Sequence, residues 1–82
     1  MKSVSYSKAA AKSLRRHMSE SARIQKAIDE YAAGAGAHAN NVTRLVGSEA
    51  SRLRVGDFRV IFEESETTII VTKIGPRGSA YE

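Results

Sequence analysis

Five cations and a tyrosine crowd the last third of the sequence: Arg52, Arg54, Arg59, Lys73, Arg77 and Tyr81. They are threaded through two apolar runs, Arg52-Leu-Arg-Val-Gly-Asp-Phe-Arg-Val-Ile-Phe62 and Thr67-Thr-Ile-Ile-Val-Thr-Lys-Ile74, the second followed by Gly-Pro-Arg-Gly-Ser-Ala-Tyr81. A guanidinium keeps its charge at any working pH and offers paired donors that match a phosphate. Strands that carry such a row suit a polyanion, and RNA is the first candidate. The competing reading is a solvated face whose arginines pair across strands with Glu63, Glu64 or Glu66.

Other chemistries lack their residues. His17 and His38 are the only histidines and there is no cysteine, so no metal-ligand spacing arises. His17 reads as a helix-end residue and His38 as loop. Ser3, Ser5, Ser13 and Ser79 have no histidine placed to activate them. Gly34-Ala-Gly36 follows a helix rather than a strand and lacks the rest of a phosphate-loop or dinucleotide fingerprint. Neither a metal nor a cofactor is expected.

The elements that must hold the cations follow from periodicity. Val4 and Tyr6 alternate in a short first strand. Ser7 caps a helix over Lys8 to His17, with Ala10, Leu14 and either His17 or Met18 as its apolar stripe. Ser19-Glu-Ser21 offers a second cap. Ile24, Ala27, Ile28 and Tyr31 then recur at helical spacing, and glycine at Gly34 or Gly36 ends that helix in a left-handed turn. Gly34 to Asn41 reads as a surface loop. Gly56-Asp57 between two alternating runs predicts a two-residue hairpin turn of type II′, facing Val55 with Phe58 and Leu53 with Val60. Arg52, Arg54, Arg59 and Ile61 then project from the opposite side. Glu63 to Glu66 turn the chain into a last strand, which Gly75-Pro76 ends. The order β-α-α-β-β-β gives an α+β domain: an N-terminal strand and an αα-hairpin on one face of a small antiparallel sheet, the arginine face open.

The chain of 82 residues is expected to form a single domain, 1–82, with a small core and no disulfide to staple it. Thirteen Lys and Arg against nine Asp and Glu give a net charge of +4, which favours an acidic or phosphate-rich partner. No run reaches the ~18 apolar residues of a membrane span, and the N-terminus lacks a signal-peptide core. A cytoplasmic protein that makes no membrane contact is expected.

Arg54-Val-Gly-Asp-Phe-Arg-Val-Ile-Phe62, Ile74-Gly-Pro-Arg-Gly-Ser-Ala-Tyr81 and the segment Asn40 to Gly47 resemble the RelE side of the RelE/ParE toxin superfamily. The resemblance implies the toxin of a type II toxin–antitoxin pair, an endoribonuclease that enters the ribosomal A site of the 70S ribosome and cuts mRNA without a metal. A RelB-like antitoxin would neutralise it, and the complex would bind operator DNA through that antitoxin. It implies catalytic roles for Arg59, Arg77 and Tyr81, and phosphate binding by Arg52, Arg54 and Lys73. Arg52 stands where the best-known members carry a catalytic lysine; arginine there stabilises charge rather than taking a proton. Pro76 replaces a basic or histidine residue, and Ala50 stands near the place of a second lysine. These departures leave the general base open, Tyr81 being one candidate. Two alternatives within the resemblance are a ParE-like inhibitor of DNA gyrase and a catalytically degenerate regulator that only binds an antitoxin.

Overall fold

The computed structural model describes residues 2–34, 41–45, 47 and 49–76. In chain order they form β1 (Ser3–Tyr6), α1 (Lys8–Arg16), α2 (Met18–Ala33), β2 (Val42–Arg44), β3 (Ala50–Val55), β4 (Phe58–Glu64) and β5 (Thr68–Pro76). The strands make one sheet in the order β1-β5-β4-β3-β2. Both helices pack on a single face of it. Ala10 and Leu14 of α1 and Ile24, Ala27, Ile28 and Ala32 of α2 meet Leu53, Val55, Val60, Phe62, Ile69, Val71 and Ile74 from the three central strands. No described element packs on the other face.

The helix boundaries follow local chemistry. Ser7 Oγ accepts from the Ala10 amide at 3.1 Å, capping α1 as expected, and its hydroxyl donates to the Thr72 carbonyl at 2.8 Å, tying the cap to β5. His17 alone separates the helices, and α2 begins at Met18 without a side-chain cap. The serines at 19 and 21 are therefore inside the helix rather than capping it, while Glu20 does occupy its positively polarised first turn. Of the two candidates for the end of the α1 stripe, His17 is the one that packs, its ring edge-on to Phe58 at 5.0 Å; Met18 is 78% exposed. Gly34 ends α2 in an extended conformation, φ −163°, not in the left-handed turn expected of it. Its amide still donates to the Glu30 carbonyl, so the last turn closes without a positive φ.

Two features of the sheet depart from the sequence reading. It is mixed, because β1 lies parallel to β5, pairing Val4 with Ile69 and Tyr6 with Val71. Alternation shows that a strand exists but not which way its neighbour runs. The sheet also has an additional edge strand, β2, pairing Val42 with Leu53 and Arg44 with Ser51. With three residues and one half-buried apolar side chain it is too short to show a period. The β3–β4 hairpin is as expected: Val55 opposes Phe58 across Gly56-Asp57, and Gly56 has φ +59°, as a primed turn needs at its first position. The final strand runs one residue past Gly75, to Pro76, beyond the stretch that β1 covers.

Candidate functional site

The hairpin register sets the cations in rows across the uncovered face. Arg54 lies directly opposite Arg59, and Arg59 pairs onward with Gly75 of β5. One row further along the strands, Thr43, Arg52, Ile61 and Lys73 succeed one another across β2, β3, β4 and β5. Lys73 owes its place to a break in alternation. Ile61 pairs with Lys73 but Phe62 pairs with Val71, so Thr72 is extra and the strand switches faces around it. Val71 and Ile74 thus both point into the core, and Lys73 joins the arginines. Thr72 is held in the bulge by its own hydroxyl, which donates to the Ile61 carbonyl at 3.2 Å.

The rows are rigidly based. Ile61 is 6% exposed although it lies on the face away from the helices and belongs to no core cluster there. It is the apolar floor between Arg52 and Lys73. Arg52 and Arg59 are half-buried; Arg54 and Lys73 are exposed. Arg59 Nη1 donates to the Phe58 carbonyl at 3.3 Å, and Arg54 Nη2 reaches Asn41 Oδ1 at 3.4 Å, the outer limit of a hydrogen bond. Asn41, Thr43, Arg52, Arg54 and Arg59 line a recess of about 120 Å³. Like charges held opposite one another on a strand pair destabilise it, by up to about 1 kcal/mol. The Arg54–Arg59 opposition is therefore a cost that folding alone does not explain.

The competing reading pairs these arginines with glutamates across the strands. The register puts Glu63 opposite Ala50 and Ile70 rather than opposite an arginine. Glu64 is engaged elsewhere: Lys2 Nζ donates to it at 2.6 Å and the Tyr31 hydroxyl at 2.8 Å. Burial alone would raise the Glu64 carboxyl, but those two donors and the lysine charge outweigh it and hold the group below its usual range. Burial first, and then the same contact with Glu64, pushes the Tyr31 hydroxyl up to about 12.

Of the expected site residues, Arg52, Arg54, Arg59 and Lys73 share one face. Arg77 and Tyr81 lie outside the described residues. Asn41 and Thr43 were not anticipated as walls of the recess. Their signal was the alternation of Asn41, Val42 and Thr43, with only Val42 apolar. Among the described residues no three His, Asp or Glu side chains are grouped to hold a metal.

No protein-family model and no curated protein sequence matches the chain. Solved structures do. A chain of the archaeal RelE–RelB complex from Pyrococcus horikoshii is 26% identical, with a TM-score of 0.77, over 96% of this chain and 98% of that one. A chain of the toxin–antitoxin complex RelBE2 from Mycobacterium tuberculosis superposes with a TM-score of 0.62 at 20% identity, over 93% of this chain and 98% of that one, a likeness of fold. The helix pair on a five-stranded sheet is thus a RelE-like fold.

Proposed function

We propose that this chain is the toxin of a type II toxin–antitoxin pair and that it cuts mRNA in the ribosomal A site. The observation that carries the reading is the opposed Arg54–Arg59 pair, backed by Arg52 and Lys73, on the uncovered face of a RelE-like sheet. Four cations on one rigid surface neutralise a phosphodiester backbone and stop repelling one another once it is bound.

The cleavage is an internal transfer. The 2′-hydroxyl of the message gives up its proton as its oxygen attacks the adjacent phosphorus, the P–O5′ bond breaks, and the leaving O5′ takes up a proton. A 2′,3′-cyclic phosphate and a 5′-hydroxyl result, and water opens the cyclic product to a 3′-phosphate and a free 2′-hydroxyl. Charge gathers on the phosphate oxygens, so fixed cationic donors accelerate the step mainly by position and electrostatics. In this reading Arg59 sits at that phosphate, Arg52, Arg54 and Lys73 grip its neighbours, and Arg77 and Tyr81 complete the machinery. Arg52 contributes charge, since a guanidinium does not act as a base. The need for a 2′-hydroxyl makes the activity specific to RNA. The chain would act in the cytoplasm, where translating ribosomes are, and a RelB-like antitoxin would cover the basic face and tether the pair to operator DNA.

Primer extension on a translated reporter message tests this, comparing wild type with Arg59→Ala and Arg77→Ala. Discrete cuts that both variants lose are the expected result. Growth arrest with intact message and gyrase-dependent DNA breaks would replace the nuclease with a ParE-like inhibitor. No arrest at all would leave an antitoxin-binding regulator, the outcome for which Ala50 and Pro76 prepare.

A further inference from the structure

The recess on the sheet face is not the end of the basic surface. Asn41 and Arg54 also line a second and larger groove, about 320 Å³, between α2 and the tip of the β3–β4 hairpin. Its helix side is contributed by Arg23, Lys26, Ala27 and Glu30. The two hollows therefore share a wall at Arg54 and Asn41, and the second adds the cations Arg23 and Lys26 beside one carboxylate, Glu30.

Arg23 is seated there by the backbone. Its guanidinium lies against Gly56 so closely that a side chain at position 56 would run into it. Gly56 is favoured by its φ of +59°, and the Arg23 guanidinium, the end of a flexible side chain, occupies the space beside it. Arg23 Nη1 also bonds Glu20 at 3.2 Å, an exposed pair that water and salt screen. Lys26, one helical turn on, is exposed.

We infer that an RNA strand lying on the sheet face continues past Arg54 into the groove between α2 and the hairpin, where Arg23 and Lys26 take phosphates upstream or downstream of the cut. The inference rests on the nuclease reading and extends its footprint from the cleaved phosphate to a second segment of the same strand. Such a contact makes binding depend on the length of the RNA, and it leaves the chemistry of the sheet face untouched.

The test is RNA binding by the purified full chain, using fluorescent, 2′-O-methylated oligonucleotides that cannot be cut. A trinucleotide and a nonanucleotide are titrated at several salt concentrations against wild type, Arg23→Ala/Lys26→Ala, Lys26→Glu and Arg59→Ala. The double variant is expected to lower the salt dependence of nonanucleotide binding by about 1.4 in slope, two phosphate contacts at about 0.7 each, and to leave the trinucleotide unchanged. Lys26→Glu guards against loss of fold, because Lys26 is exposed; it should weaken only the longer RNA. If Arg59→Ala weakens both RNAs while the double variant and Lys26→Glu bind the nonanucleotide like wild type, the groove is not part of the RNA path and the sheet-face reading stands alone. If neither RNA binds wild type, or Arg59→Ala changes nothing, the groove inference falls, and the nuclease reading falls with it only where primer extension also finds the translated message uncut. Should the groove variants lose an acidic antitoxin segment but no RNA affinity, the groove belongs to the protein partner and the inference is overturned.

Discussion

The uncovered face of the sheet carries opposite chemistries at its two ends. At the β3–β4 hairpin, Arg54 and Arg59 oppose each other, and Arg52 and Lys73 follow one row behind. At the β4–β5 turn the corresponding row is Ala50, Glu63, Ile70 and Ser5, with Ile70 46% exposed, and Glu49 and Ser65 beside it. Each end belongs to the same strands, so alternation and propensity do not distinguish them. Partnering does. Beside the acidic end, Glu64, on the helix side of β4, binds its charge internally: it takes Lys2 from the segment before β1 and Tyr31 from α2, joining three parts of the chain. The basic end sets like charges face to face. Stability is gathered at one end and repulsion is tolerated at the other, which is the pattern expected where a ligand completes the structure.

The largest effect expected from breaking this contrast is on activity. Arg59→Ala should reduce cleavage of A-site message about 10²–10³-fold, the loss seen when one preorganised donor to a developing oxyanion is removed. Thermal stability should stay level or rise, since the repulsion with Arg54 goes too. A variant that cleaves at the wild-type rate would remove Arg59 from the reaction, whatever its effect on folding.

Next comes the floor between the two ends. Ile61→Ala removes a buried side chain from the uncovered face and should cost about 2–3 kcal/mol, roughly 10–20 °C in melting temperature for a domain of this size. A loss as small as that of an exposed residue would mean that the arginine rows rest on something other than Ile61.

How much of this could be read from the residues depends on how local each feature is. The two-residue Gly56-Asp57 turn fixes the hairpin register, so Leu53, Val55, Val60 and Phe62 fell on the inner face and Arg52, Arg54 and Arg59 on the outer one from spacing alone. Ser7 and the Ile24–Ile28 face were legible for the same reason: a cap and a 3.6-residue period are short-range signals. The parallel pairing of β1 with β5 was not, because it joins residues more than sixty positions apart and leaves no mark on either strand. The bulge at Thr72 was also hidden. Strict alternation from Val71 would have sent Lys73 into the core, and only the pairing of Ile61 with Lys73 beside Phe62 with Val71 shows the switch. Lys73 could be suspected by charge and placed only by register. Arg23 escaped notice because nothing in a helix sequence says that a glycine turn lies beneath it.

The acidic end gives a smaller, pH-dependent effect. Glu64→Gln should cost about 1 kcal/mol at neutral pH, the loss of charge-assisted bonds at a partly exposed site. The Glu64 carboxyl is held below its unfolded value, so its contribution is fully present above that unfolded value, near 4.5. It fades as pH falls through the lower folded value. The melting difference between wild type and Glu64→Gln should therefore be constant from neutral pH down to about pH 5 and close below it. A difference that persists in strong acid would show that the glutamine disrupts packing rather than charge.

The smallest expected effect runs the other way and tests the contrast most directly. Arg54→Thr replaces one of the opposed guanidiniums with a residue well suited to a strand. Relief of repulsion should add about 0.5 kcal/mol, some 2–4 °C in melting temperature, and the gain should shrink as salt screens the pair it removes. RNA affinity should fall at the same time, with about 0.7 less salt slope, so stability and binding would move in opposite directions in one variant. If the melting temperature drops instead, the bond to Asn41 and the packing of the arginine stem outweigh the repulsion. The basic end would then be an ordinary stabilised surface, and the case for a ligand there would rest on the fold alone.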